Sequence, residues 1–286
     1  MKFAELEIMN SRAKLSSGFR EVRFTVRFCA WVTMALLAIA ASSSVAEPTG
    51  DRRVLTIAYN EFPPFAHHTE SGEASGEIIE VTRKVVEEAG YEPEFLFLPI
   101  SRIYLYLKNG TVDAWPGLTN IPQLEGEVLE SWAQPLTVQL SAWYLEGNPP
   151  LNHFDDLQGK TVIVIGGYTY AGMIQWLRES GQILVTEAPN HRAAIDMLKR
   201  RRGDYVLDYR APVREILTEP SDSVVRESEV RSRTAAWLFS LANPRAAILR
   251  EEFDDAYLRL VQRGELPAIY PNSHGYVIPG FPEAYR

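Results

Sequence analysis

Residues 54–65 read Val54-Leu55-Thr56-Ile57-Ala58-Tyr59-Asn60-Glu61-Phe62-Pro63-Pro64-Phe65. Val54, Leu55, Ile57 and Ala58 form a short apolar run, the pattern of a strand buried on both faces rather than one. The run must end at Pro63-Pro64, because two consecutive prolines donate nothing to a ladder and force the chain out of the sheet. An apolar strand that delivers Glu61, Phe62 and Phe65 into a proline-stiffened loop has the form of a ligand-facing edge at the carboxyl end of a sheet. Core aromatics at an ordinary strand exit would look alike, so the reading depends on the elements that come after the loop.

Those elements alternate. His67-His68 and the segment 71–76 make a polar turn, with the adjacent histidines pointing apart and therefore unsuited to share a metal. Gly76 opens a helix over 77–89, apolar at Ile78, Val81, Val85, Val86 and Ala89, and Gly90 closes it. Phe95 to Leu98 reads as a second buried strand, Ser101 as the cap of a second helix ending at Asn109-Gly110, and Thr111 to Trp115 as a third strand stopped by Pro116-Gly117. Alternation of β and α with short links predicts a mainly parallel sheet covered by helices.

Thr137 to Leu145 is a further strand, and Gly147-Asn148-Pro149-Pro150 after it is strong punctuation, expected to mark a crossing between lobes. The pattern then restarts. Strands are expected at 160–165, 183–186 and 205–207, with helices at 171–180 and 190–201 between them. Ala235 to Leu241 adds a strand. Asn243-Pro244 begins a long helix closed by Gly264, with Leu249, Phe253, Ala256, Tyr257, Leu260 and Val261 on one face. These breaks predict an α/β protein of two lobes: 47–144, then 145–242, with 243–286 returning to the first.

The first 46 residues read as an export signal: Arg20, Arg23 and Arg27 before an apolar run from Phe28 to Ala41, then Ser44-Val45-Ala46 as a cleavage site. That run is shorter than the ~20 residues that span a bilayer. The expected product begins near Glu47 and is periplasmic. The single cysteine, Cys29, lies within the signal, so the product has no disulfide and no cysteine nucleophile. The signal carries six basic and three acidic residues, so its removal takes the formal net charge from −8 to −11. Such acidity argues against a nucleic-acid partner.

The order of these pieces resembles the periplasmic solute-binding proteins of the family 3 type, two-lobed receptors known for delivering amino acids to ABC importers. Leu107-Lys108-Asn109-Gly110-Thr111-Val112-Asp113-Ala114 matches the family's Leu-x-x-Gly-x-x-Asp-Ala, and Gly117-Leu118-Thr119 comes directly after it. Asp156-Leu157-Gln158-Gly159-Lys160-Thr161-Val162 resembles the start of the second lobe, Gly203-Asp204 its last helix-to-strand turn, and Asn243-Pro244 through Gly264-x-Leu266-x-x-Ile269-Tyr270 the closing helix. The resemblance implies a type II periplasmic-binding-protein-like fold. Each lobe is then a mainly parallel sheet flanked by helices.

It also implies where a ligand would sit. Phe62 holds the position of the family's flanking aromatic, with Glu61 beside it as an ammonium acceptor. Gly117 and Thr119 match the first lobe's backbone and hydroxyl contacts. Thr169 and Tyr170 begin a second-lobe helix whose free N–H groups favour an anion. The family's carboxylate-gripping arginine is missing: Ile121-Pro122-Gln123-Leu124-Glu125-Gly126 stands there instead. Arg102 is the expected replacement, although a basic side chain at such a place often only lies along its helix. Asp208 or Tyr209 falls where the family places its ammonium-binding aspartate. Trp115, Tyr168, Tyr170 and Tyr209 make the expected cleft aromatic, although any one of them is more often core.

The leading expectation is thus a monomeric binding protein, not an enzyme, that captures a small polar, amino-acid-like solute and presents it to an ABC permease, without a cofactor or a metal. The alternatives are an enzyme resembling cyclohexadienyl dehydratases, with Glu61 or Asp208 as the acid group, and a ligand sensor docking on a membrane receptor.

Overall fold

The computed structural model of the chain describes residues 53–268 and 275–283. The expected export signal over 1–46 and the Ile269-Tyr270 end of the closing motif lie outside the described residues.

The opening strand β1 (Val54–Tyr59) is buried from Leu55 onward apart from the half-buried Thr56, as its apolar run requires. The loop after it leads to a small antiparallel pair, β2 (His67–His68) and β3 (Ala74–Ser75), so the histidines lie in a hairpin rather than a free turn. Helix α1 (Glu77–Glu88) buries Ile78, Ile79, Thr82, Val85 and Val86. Strand β4 (Glu92–Phe97), helix α2 (Ile100–Asn109) and strand β5 (Ala114–Leu118) complete the first block. The cap of α2 is Pro99 and not Ser101, which lies inside the first turn. Strand β5 runs through Pro116-Gly117 instead of stopping there. It is paired with β1 only at Ala114, so Pro116 lies where a single neighbour remains and a missing N–H is tolerated.

After the short β6 (Val128–Glu130), strand β7 (Leu136–Leu145) leads into the second block. Its elements are β8 (Thr161–Ile165), α3 (Met173–Glu179), β9 (Leu184–Ala188), α4 (His191–Lys199), β10 (Tyr205–Tyr209) and α5 (Arg210–Ile216). Helix α5 is absent from the sequence expectation; its Pro212 sits in the first turn, where no helical N–H is lost. The helix expected from Ala171 starts at Met173, because Tyr170 and Ala171 take positive φ angles of 50° and 54°. Strand β11 (Val225–Ser240) is 16 residues long, with its first ten beyond the expected strand. Helix α6 (Ala246–Gln262) and the short β12 (Gly275–Tyr276) end the described chain.

The main path of the sheet is β4-β1-β5-β11-β7-β10-β8-β9. Strands β4, β1 and β5 are parallel, as are β10, β8 and β9. The two long strands β7 and β11 run antiparallel to each other between these blocks. The architecture is therefore α/β and two-lobed, with a mainly parallel block at each end of one curled sheet. Helix α6 does not extend the second block. Its Leu249, Phe253, Ala256, Tyr257 and Leu260 pack with Leu55, Ile57, Val85 and Val86 of the first. Side chains of that size stabilise by about 1.5–3 kcal/mol each when fully buried, which ties the chain's end to its beginning.

Candidate functional site

Where the carboxyl ends of the two parallel blocks meet, the chain forms a cavity of about 60 Å³, room for about four waters. The first block contributes Asn60 and Phe62 from the loop after β1, Ile100 and Tyr104 from α2, and Trp115 to Leu118 from β5. From the second come Tyr168, Thr169 and Tyr170 after β8 and Tyr209 at the end of β10. Strand β11 contributes Arg233 and Ala235.

Local structure explains how each piece is held. Phe62 and Ala66 exchange backbone hydrogen bonds of 2.7 and 3.0 Å, which close the proline loop on itself. Gly76, at φ 115°, lies so near this loop that a Cβ there would stand 2.4 Å from the Phe65 carbonyl oxygen. The Phe62 ring is thereby fixed, edge-on to Tyr209 at 5.3 Å. Gly117 leaves room for the Trp115 ring, whose carbons would lie 2.3 Å from a Cβ at that position. Gly167 permits the blocks to touch: a Cβ there would come within 2.8 Å of Ile100 Cγ2.

Of the residues expected from sequence, Phe62, Trp115, Gly117, Tyr168, Thr169, Tyr170 and Tyr209 line this cavity. The other four stand elsewhere. Thr119 is buried one step away, its hydroxyl 3.3 Å from the Thr234 carbonyl oxygen to which it donates. Glu61 is exposed and faces His68 at 3.2 Å. Arg102 is exposed on α2 and is not part of the lining. Asp208 is fully buried behind the wall, accepting from the Tyr209 N–H at 2.8 Å and lying 2.7 Å from His191 Nδ1. His191 Nε2 in turn lies 3.4 Å from the Tyr168 hydroxyl.

Sequence reasoning passed over Asn60, Tyr104 and Arg233. Arg233 matters most, because it is the only charged residue in the lining. Its side chain is 3% exposed. It donates to the Thr119 carbonyl oxygen and, at 3.4 Å, to the Tyr209 hydroxyl. Among the described residues no carboxylate lies within ion-pairing distance of it. An uncompensated buried charge costs several kcal/mol, so such a residue persists where something else uses it. The available signal was alternation: Arg231 and Arg233 share one face of a strand that turns fully apolar at Ala235.

A second unused group faces the same space. Thr169 is 6% exposed, and its hydroxyl has no hydrogen-bond partner. The Tyr104 hydroxyl neighbours it without reaching hydrogen-bond geometry. Burial raises the pKa of Tyr104, and burial with the nearby Asp208 carboxylate raises those of Tyr168 and Tyr170. Burial also raises Tyr209, with Arg233 opposing. The tyrosines therefore offer neutral O–H donors. Burial works against the charged form of His191, but Asp208 and the Glu61 carbonyl outweigh it and raise its pKa.

No curated protein matches the chain in sequence. Among solved structures, an ancestral arginine-binding protein bound to arginine superposes with TM-score 0.64 at 22% identity, over 75% of this chain and 95% of that one. A histidine kinase sensor domain with similarity to periplasmic binding proteins gives TM-score 0.65 at 19% identity, over 75% and 92%. An ABC uptake transporter substrate-binding protein from Streptococcus pneumoniae with bound histidine gives 0.62 at 16%, over 74% and 88%. At these identities the likeness is one of fold. The sequence itself matches a family model over residues 55–272, and the chain belongs to the bacterial extracellular solute-binding proteins, family 3.

Proposed function

We propose that this protein captures a small polar, amino-acid-sized solute between its lobes, in the periplasm, and presents it to an ABC-type importer in the inner membrane. The observation that carries this reading is the cavity itself, walled from both parallel blocks and holding a buried guanidinium and a spare hydroxyl. The proposal includes export through the signal at 1–46 and lobes divided at 47–144, 145–242 and 243–286. The packing of α6 on α1 and β1 supports the last of these. Closure of the lobes about the solute would set affinity through contacts that exist only in the closed form.

A thermal-shift screen over amino acids, polyamines, small carboxylates and dipeptides tests it. A ligand at a hundredfold its dissociation constant adds ~2.7 kcal/mol to stability. A screen in which nothing shifts the protein would overturn the reading. A second reading, an enzyme resembling cyclohexadienyl dehydratases, is favoured by one observation: Asp208, His191 and Tyr168 form a line of proton-carrying groups that ends at the cavity. Turnover of prephenate or arogenate would establish it in place of binding alone.

A further inference from the structure

The cavity lining contains no Asp, Glu, Lys or His, so Arg233 is its one formal charge. The buried acid behind the wall, Asp208, is already engaged by His191 and by the Tyr209 N–H. An α-amino acid would bring an ammonium group into this space, where it would find only neutral acceptors and a fixed cation. In a low-dielectric site the like charge is unfavourable. Aromatic faces attract cations as well, but an ammonium resting on them would still lie in the space that the Arg233 guanidinium lines. A carboxylate meets the opposite situation. Arg233 offers it an unneutralised guanidinium, Thr169 an unused hydroxyl, and Tyr104 adjoins both.

We infer that the cavity takes a monocarboxylate lacking an ammonium group, with its carboxylate on Arg233 and Thr169 and its apolar body against the aromatic walls. This rests on the binding reading above and deepens it. Thr169 is a specificity residue in this arrangement, since its buried hydroxyl makes no hydrogen bond in the unliganded fold. The cavity is under half the ~150 Å³ that holds a benzene, so short acids are the first probes.

The experiment is calorimetric titration of the purified protein with molecules matched in carbon skeleton. Propionate, pyruvate and lactate are set against alanine and ethylamine. The acids are expected to bind at least about tenfold tighter than the matching amino acids. Thr169→Val is expected to leave the unliganded melting temperature unchanged or higher and to weaken acid binding about tenfold. Arg233→Met is expected to abolish acid binding; if that variant does not fold, Thr169→Val carries the test. Amino acids binding as tightly as their acids, or Thr169→Val binding acids normally, would overturn the inference and leave the binding reading intact. Binding of neither set would also overturn the inference, while the binding reading falls only if the wider thermal-shift screen shows no ligand either.

Discussion

Nδ1 of His191 lies 2.7 Å from Oδ2 of Asp208, and the two side chains are 7% and 0% exposed. This pair joins the start of α4 to the end of β10 and sits directly behind the aromatic wall of the cavity. Phe62 packs against the imidazole at 6.1 Å, so the pair also supports the loop from the first block.

The raised pKa of His191 has a definite consequence for stability. The folded protein keeps the proton above pH 6.5, where the unfolded chain releases it. The contribution is therefore complete below about pH 6.5 and is lost as pH rises through the folded value. Chemical denaturation from pH 6 to pH 9 should show stability falling with pH, and His191→Gln should flatten that slope. Titration of the His191 ring by NMR at or below pH 6.5 would contradict this.

Gly76→Ala should be costly, because the position combines φ 115° with a Cβ 2.4 Å from the Phe65 carbonyl oxygen. Strain of this kind costs at least ~2 kcal/mol when the neighbour is backbone. Since the displaced backbone is the loop that carries Phe62, solute affinity should fall along with the unfolding midpoint. Calorimetric melting and titration of the same variant measure both. A variant that keeps wild-type stability would show that the loop yields freely.

How legible the molecule was in its sequence depended on where its polar groups go. The opening strand and the amphipathic helices were readable because their apolar residues share a buried face, and the α6 stripe packs on the first block along that face. The first half of β11 was not. Its Arg226, Glu227, Glu229 and Arg231 look like a solvated loop, yet Glu227 is held by Arg210 and Arg214 and Arg226 by Glu146. A bulge between Glu229 and Arg231 also breaks the period of two that marks a strand. Arg233 was lost with it. The aromatic part of the lining was legible because strand ends and glycine turns announce where side chains leave the sheet. A charge reaching the cavity from the middle of a long strand gives no such signal.

Asp254 on α6 should matter more than a single acid on a helix usually does. It is 1% exposed and accepts the backbone N–H groups of Trp132 and Ala133 at 3.3 and 3.1 Å. Burial raises its pKa even though these donors pull the other way. Asp254→Ala leaves two N–H groups without an acceptor, a loss of about 2–3 kcal/mol, and Asp254→Asn should lose less because one oxygen remains. Urea titration of the two variants ranks them, and equal losses would mean that helix packing rather than hydrogen bonding is at stake.

The acid limb of stability should be governed in part by Glu88. Its carboxylate accepts from Arg259 Nε at 2.7 Å and from Arg263 Nη2 at 2.7 Å, linking the end of α1 to the end of α6. Hydrogen bonds from Arg263 and then Arg259 lower its pKa to about 2, against slight desolvation. Between that value and the unfolded carboxylate range the unfolded chain binds more protons, so stability is present above about pH 4.5 and is lost as pH falls toward 2. The cluster lies at the surface, so salt should weaken the effect. The melting temperatures of wild type and Glu88→Gln should differ at pH 7 and converge by about pH 2, with a smaller difference in about 1 M salt. A difference that persists unchanged at the acid end would place the role of Glu88 in packing, not in its charge.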